Sequence, residues 1–280
     1  MPQRSRSLSV HACKACAAAL ALAATITSAQ ADVSSPYDGA WRFSIMPYLW
    51  APGYEGHFRY NIPPGASGNP NVNVGPVDAL KLLNFAFMGT AEVNRGHWGL
   101  FTDIVYVNFD NDKARVKSIT GPGGDVEFPV NLGTEAGLKA TIWTLAPSYA
   151  FYANGASSSA IFLGTRYLDV TSSLKWNFSG PLSLFPQSGK LEQKANAWDA
   201  VGGIKGRFGF SGSHWFIDYY ADIGTGDTDL TYQGVAAVGY AWGCADIELA
   251  YRYLHYEPGQ RRFIKNLSFY GPALGVRFHF

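Results

Sequence analysis

Between Trp41 and Phe280 apolar and polar side chains alternate, residue by residue, in segments of about 10–14 residues, each closed by a turn signal. A two-residue period marks a β-strand whose two faces meet different surroundings. Ten segments fit: 41–50, 84–93, 98–109, 138–152, 159–169, 198–210, 215–223, 230–242, 246–255 and 267–280. Asn94-Arg95-Gly96-His97, Ala153-Asn154-Gly155, Ser211-Gly212-Ser213-His214 and Gly243-Cys244-Ala245 are short enough to be hairpin turns. The connections over 51–83, 110–137 and 170–197 are long, and those over 224–229 and 256–266 are shorter. Within them Asn61 to Pro76 (NIPPGASGNPNVNVGP) and Thr120 to Gly124 (TGPGG) read as coil, and Val77 to Leu83 as one or two helical turns. Short turns at one end and long loops at the other is the asymmetry of a membrane-spanning barrel.

The two faces differ in kind. The last segment sets Tyr270, Pro272, Leu274, Val276, Phe278 and Phe280 against Gly271, Ala273, Gly275, Arg277 and His279. The ninth sets Ile247, Leu249, Tyr251 and Tyr253 against Glu248, Ala250 and Arg252. A secreted sandwich would alternate too, with its apolar face inward. Three features favour lipid outside: tryptophan and tyrosine near the segment ends, glycine and alanine on the polar face, and the aromatic terminus at Phe280. In hydrocarbon an open sheet edge leaves unpaired N–H and C=O groups at several kcal/mol each, so the sheet must close. The expected fold is all-β: an antiparallel up-and-down transmembrane barrel of ten strands over residues 32–280, with both termini periplasmic and the long loops extracellular. Phe280 is the expected membrane-insertion signal.

Composition agrees. Charged residues make up 15% of the 280, against about a quarter in a soluble chain. No apolar run after residue 31 approaches the roughly 20 residues a transmembrane helix needs. Residues 1–31 read as a cleaved secretory signal: Arg4, Arg6 and Lys14, then the apolar Ala17–Ile26, then Ala29-Gln30-Ala31. Cys13 and Cys16 fall inside it, leaving Cys244 alone, so no intramolecular disulfide is expected. Cleavage takes the formal charge from +1 to −2, which gives no reason to expect a nucleic-acid partner.

The inward face carries the candidate chemistry. Arg42, Glu92, Asp103, Arg166, Asp199, Lys205, Arg207, Asp218, Asp222, Glu248, Arg252 and Arg277 are six acids and six bases. Tyr220 and Gln233 can add hydrogen bonds. Balanced signs suggest ion pairs across a filled lumen, since a buried charge without a partner is costly. The primary expectation is a non-enzymatic envelope barrel, structural or surface-binding. A narrow porin-like channel is the second reading, although a selective pore would show a ring of one sign. The third is an outer-rim hydrolase or lipid-modifying enzyme drawing on His255, His57, Asp227 or Asp229, for which no spacing signature exists. No metal or cofactor is expected; His97, His214 and His279 are isolated near the periplasmic end. Arg261, Arg262 and Lys265 form a basic cluster suited to lipopolysaccharide phosphates. The expected surroundings are outer-membrane lipids and lipopolysaccharide, with the barrel-assembly machinery as a partner in biogenesis.

Pro47-Tyr48-Leu49-Trp50 with Gly56, Phe85 to Glu92 (FAFMGTAE), and Trp98 with Asp103 and Tyr106 carry a family resemblance. Gly164-Thr165-Arg166-Tyr167, Trp198-Asp199, Asp222-Ile223-Gly224, Leu230 to Gln233, Tyr251-Arg252-Tyr253 and Gly271 to Phe280 continue it. The chain resembles uncharacterised proteobacterial outer-membrane proteins akin to the small OmpA/OmpW-like barrels. The resemblance implies the barrel and no activity.

Overall fold

Four short turns set the hairpins, and each carries a glycine in the left-handed region: Gly96, Gly155, Gly212 and Gly243, with φ between 56° and 68°. Only glycine adopts that conformation without a steric cost, so these positions return the chain tightly. The structure, a computed structural model, describes residues 37, 39–58, 60–61, 67–68, 71–109, 119–120, 127–128, 134–177, 188–258 and 264–280. Residues 1–31, where the signal was expected, and Arg261 and Arg262 lie outside the described residues.

The turns link ten strands. They are β1 (Trp41–Trp50), β2 (Leu83–Arg95), β3 (Trp98–Phe109), β4 (Thr134–Asn154), β5 (Ser157–Asn177) and β6 (Ser188–Gly209). β7 (Trp215–Gly226), β8 (Leu230–Trp242), β9 (Ala245–Glu257) and β10 (Ile264–His279) complete the ring. Each pairs antiparallel with the next, and β10 pairs back onto β1 from Ser44↔His279 to Trp50↔Ala273. Phe43 and Phe280 exchange backbone hydrogen bonds of 3.2 and 2.9 Å at the seam. Following register partners once round from Ser44 returns to the line of β1 at Gly56, a stagger of twelve residues. Such stagger lets tilted strands close without an edge.

The wall is apolar outside. Leu49, Leu163, Leu249 and Leu274 are all more than half exposed, and they alternate with buried inward neighbours. Trp41, Trp98, Trp215 and Trp242 ring the short-turn end. A closed sheet with an apolar outside is the architecture lipid imposes.

The sequence reading departs from the structure at the other end. β4, β5 and β6 run for 21, 21 and 22 residues, about twice what a barrel wall needs; they absorb most of the loop expected over 170–197 and the last residues, 134–137, of the one expected over 110–137. Past Val170 in β5 and before Ala195 in β6, polar residues fall on both faces, as at Ser172 and Ser173 or Gln193 and Lys194, so no hydrophobic alternation betrayed these stretches. In the first long connection the chain breaks at Ala51–Pro52, where the Ala51 N–H bonds Pro272 O at 2.9 Å. A short strand, Gly53–Phe58, then continues β1's line along β10 and pairs with Asn71–Val74. A helix follows (α1, Pro76–Leu82) where helical turns were expected, with Pro76 in its first turn and Ala79 and Leu82 buried.

Candidate functional site

Alternation points every second residue into the lumen, and these side chains sort into three layers. Nearest the short turns is a chamber of about 550 Å³, reached past Tyr37, Cys244, His279 and Phe280. Arg207 stands in it, with Asp218 at 2.8 Å, Asp246 at 2.6 Å and Glu248 at 3.3 Å. Its guanidinium lies 3.6 Å from the Phe216 ring centroid. That ring needs Gly239, since a Cβ there would fall 2.2 Å from Phe216 Cζ. Arg277 binds Glu248 at 2.7 Å and reaches Asp218 at 3.5 Å. Lys205 binds Glu92 at 2.6 Å beneath the Phe101 ring. His279 meets Asp246 at 2.9 Å, and Arg42 lines the wall. Tyr37, which precedes β1, has its phenol pushed well above the ordinary value by burial and then by Glu92.

The second layer floors the chamber and is largely buried. Arg166 is fully buried and paired with Asp222, and it also donates to Thr144 at 3.2 Å, Thr231 at 3.4 Å and Tyr220 at 3.5 Å. Arg252 donates to Asp103, Tyr48 and Gln233, each at 2.8 Å, and lies 4.9 Å from the Trp50 ring centroid. The Tyr48 hydroxyl donates onward to Asp103 at 2.7 Å. Buried charges this deep persist when they are paired and hydrogen-bonded, as both guanidinium groups are; the Arg252 Nε alone of their nitrogens is buried without a partner.

Above them the lumen is packed with Trp50, Tyr54, Phe109, Leu254, Tyr256, Leu267 and Phe269, and Ala79 and Leu82 of α1 join the same cluster. The Trp50 indole N–H is satisfied by Gly271 O at 3.2 Å. The chamber therefore ends in ion pairs and then in an apolar plug.

One expected lumen charge behaves differently. Asp199 is buried but joins no ion pair among the described residues; its Oδ1 accepts from the Thr228 N–H at 2.8 Å. It sits midway along β6, opposite the end of β7, where the 227–229 turn supplies a backbone donor, while Lys205 and Arg207 face the chamber nearer the short turns. Sequence reading missed Asp246 and the partnership of His279. Strand parity puts Asp246 on the face of Glu248 and Arg252, so the signal was present.

On the outer wall near the loop end, His255 Nδ1 lies 2.7 Å from Ser268 Oγ, and the Tyr253 hydroxyl donates to the same oxygen at 3.4 Å. Tyr232 tilts against the imidazole, with centroids 5.0 Å apart. Ser268 carried no sequence signal. Asp227 is not free for chemistry, because its carboxylate accepts from the Trp198 N–H at 2.8 Å and ties the turn to β6. The side chains of His57 and Lys265 fall outside the described residues. Among the described residues no group of three or more His, Cys, Asp or Glu side chains is placed to hold a metal.

No family model and no curated protein matches the chain. Among solved structures it is similar to the outer membrane protease OmpT of Escherichia coli, with 9% identity, a TM-score of 0.45, and 88% of this chain and 98% of that one covered. It is also similar to the translocator domain of the autotransporter NalP of Neisseria meningitidis, with 12% identity, a TM-score of 0.36, and 98% and 95% covered. At these identities and TM-scores the likeness assigns this chain no activity, and the ten-stranded antiparallel barrel stands on its own strand register. The expectation of a non-enzymatic chain is corrected here, since one of these similar barrels is a protease. That expectation rested on the lack of a spacing signature. A barrel brings side chains together across strands by register, so its reactive groups need no fixed spacing in sequence.

Proposed function

We propose that this protein is an integral barrel of the Gram-negative outer membrane whose lumen does not conduct. The long strands and loops face outward, and the charged chamber opens to the periplasm. The apolar plug carries this reading: Trp50 and Tyr256 are at most 2% exposed and lie above the two buried arginine pairs. A water path would have to displace both layers. The external half of β4–β6 then serves as the cell-surface part, and lipid and lipopolysaccharide surround the wall. Kinship with the small OmpA/OmpW-like barrels is supported by the sequence motifs quoted above, and Phe280, paired with Phe43 at the seam, suits recognition by the barrel-assembly machinery.

Planar-bilayer recording of the purified protein tests the reading. No steady single-channel openings are expected from the natural chain, and small openings are expected from a Trp50→Ala, Tyr256→Ala double variant. Steady openings in the natural protein would reject a sealed lumen in favour of a narrow channel.

A further inference from the structure

The outer wall between β9 and β10 carries a polar constellation that the sealed lumen does not use. His255 and Ser268 are direct register partners, and strand parity puts both on the lipid side, in line with Tyr251, Tyr253 and Tyr270. The imidazole sits 2.7 Å from the serine oxygen, and the Tyr253 hydroxyl sits 3.4 Å from it on the same face. Stacking fixes the imidazole plane: Tyr253 lies parallel to it within 9°, and Tyr232 tilts onto it. Glu55 is the register partner of Ser268 across β10, and Glu257 follows His255 by two residues on the same face; both carboxylates are exposed. A nucleophile, a base within hydrogen-bond reach, a nearby hydroxyl donor and flanking carboxylates are the parts of an acyl-transfer site.

Depth along the wall names the substrate. Ala245 pairs with Phe278 in the aromatic belt of the short-turn end, and His255 lies ten residues further along β9. At about 3.3 Å per residue and a tilt near 40°, that is a rise of about 25 Å, the height of a barrel's apolar band. The pair therefore sits where hydrocarbon meets headgroup in the outer leaflet. Below it, exposed Leu249, Tyr251 and Leu274 offer a surface for an acyl chain. The bonds that lie at this depth are acyl esters.

We propose that Ser268 and His255 form an outer-leaflet esterase that acts on acyl esters of membrane lipids. With Nδ1 unprotonated, His255 takes the Ser268 hydroxyl proton as the serine oxygen attacks the ester carbonyl carbon. Tyr253 donates to the resulting oxyanion. The tetrahedral adduct collapses, the ester C–O bond breaks, and His255 returns the proton to the departing alcohol. Water, deprotonated by the same imidazole, then attacks the acyl-serine carbonyl; the C–O bond to Ser268 breaks, and the imidazole returns its proton to the serine oxygen. The products are a fatty acid and a deacylated lipid. The whole step is hydrolysis, so no oxidant or cofactor is needed.

The inference rests on the wall facing lipid and is independent of whether the lumen conducts. Full-length protein is placed in vesicles of phosphatidylethanolamine and phosphatidylglycerol and, in parallel, in micelles containing lipopolysaccharide, and free fatty acid is measured. The arm showing turnover identifies the lipid. Ser268→Ala and His255→Asn are each expected to lower release by about 100-fold or more, the usual scale for a nucleophile or general base, while heat-modifiable gel mobility stays intact. Tyr253→Phe is expected to lower it by roughly 100- to 1,000-fold, as loss of one oxyanion donor does. An alkyl fluorophosphonate is expected to leave its adduct on Ser268, a readout that needs no variant. Equal release by the natural protein and Ser268→Ala in both arms overturns the inference, and so does absence of the adduct on Ser268. Because conductance and fatty-acid release are measured separately, failure here and failure of the sealed-lumen reading are told apart.

Discussion

Arg252 of β9 and Asp103 of β3, 149 positions apart, meet across the lumen at 2.8 Å, the arginine side chain 6% and the carboxylate 14% exposed. The Tyr48 hydroxyl bridges them, accepting from the arginine at 2.8 Å and donating to the carboxylate at 2.7 Å. Removing one partner leaves the other charge buried, and that is where the energy lies. Asp103→Ala is expected to destabilise the barrel by about 3–5 kcal/mol, the scale of a broken buried pair. Tyr48→Phe keeps both charges and loses two hydrogen bonds to them, so about 1.5–3 kcal/mol is expected. Urea unfolding in vesicles, followed by tryptophan fluorescence, measures both; equal and small losses would show that the pair is hydrated.

How much of this was legible in the sequence can be argued from these residues. Strand parity assigns Asp103 and Arg252 to the inward face, because outward neighbours such as Tyr251 and Tyr253 are apolar and ring-bearing. Parity does not say that they touch. That depends on the twelve-residue stagger round the barrel, which comes from hydrogen-bond register and leaves no trace in hydropathy. The same limit hid the meeting of His255 with Ser268 and the role of Asp199 under the 227–229 turn. The projecting halves of β4–β6 were missed for another reason: Lys190, Glu192 and Lys194 are solvated, so water surrounds them and no face is marked.

The seam between β1 and β10 offers a backbone test. Gly271 has φ of 154°, and a Cβ there would lie 2.1 Å from Ala51 O. Neither atom belongs to a flexible side chain, so the break at Ala51–Pro52 would have to move. Gly271→Ala is expected to cost more than about 2 kcal/mol, from backbone strain combined with the clash. Gly234 has open space at its Cβ position, so Gly234→Ala serves as the control and should fold like the natural chain. Heat-modifiable mobility after refolding compares them, and identical behaviour would remove the seam constraint.

Lys205 and Glu92 meet at 2.6 Å in the chamber with side chains 14% and 12% exposed, so water screens them in part. Their worth should lie between that of the fully buried Arg166–Asp222 pair and that of a surface pair. Reversing one, in Glu92→Lys or Lys205→Glu, puts like charges together and is expected to cost about 1–3 kcal/mol; the double reversal should recover most of the loss. A double-mutant cycle in urea reads the coupling. Additive losses would mean that the two charges act independently.

The projecting hairpin of β5 and β6 supplies the opposite limit. Glu192 lies 3.4 Å from Lys190 and 3.5 Å from Lys194, with all three exposed. The hydrogen bond from Lys190, then the two ammonium charges, hold its carboxyl below the usual glutamate range. A depressed folded value means that any stabilisation is present above the ordinary carboxylate pH and is lost as pH falls through the lowered value. Full solvation makes that contribution small. Lys190→Gln is therefore expected to raise the Glu192 titration midpoint, read by NMR, and to leave the unfolding midpoint unchanged. The contrast with Asp103→Ala is the point: both remove one member of an ion pair, and only the pair shut away from water should register in the stability of the barrel.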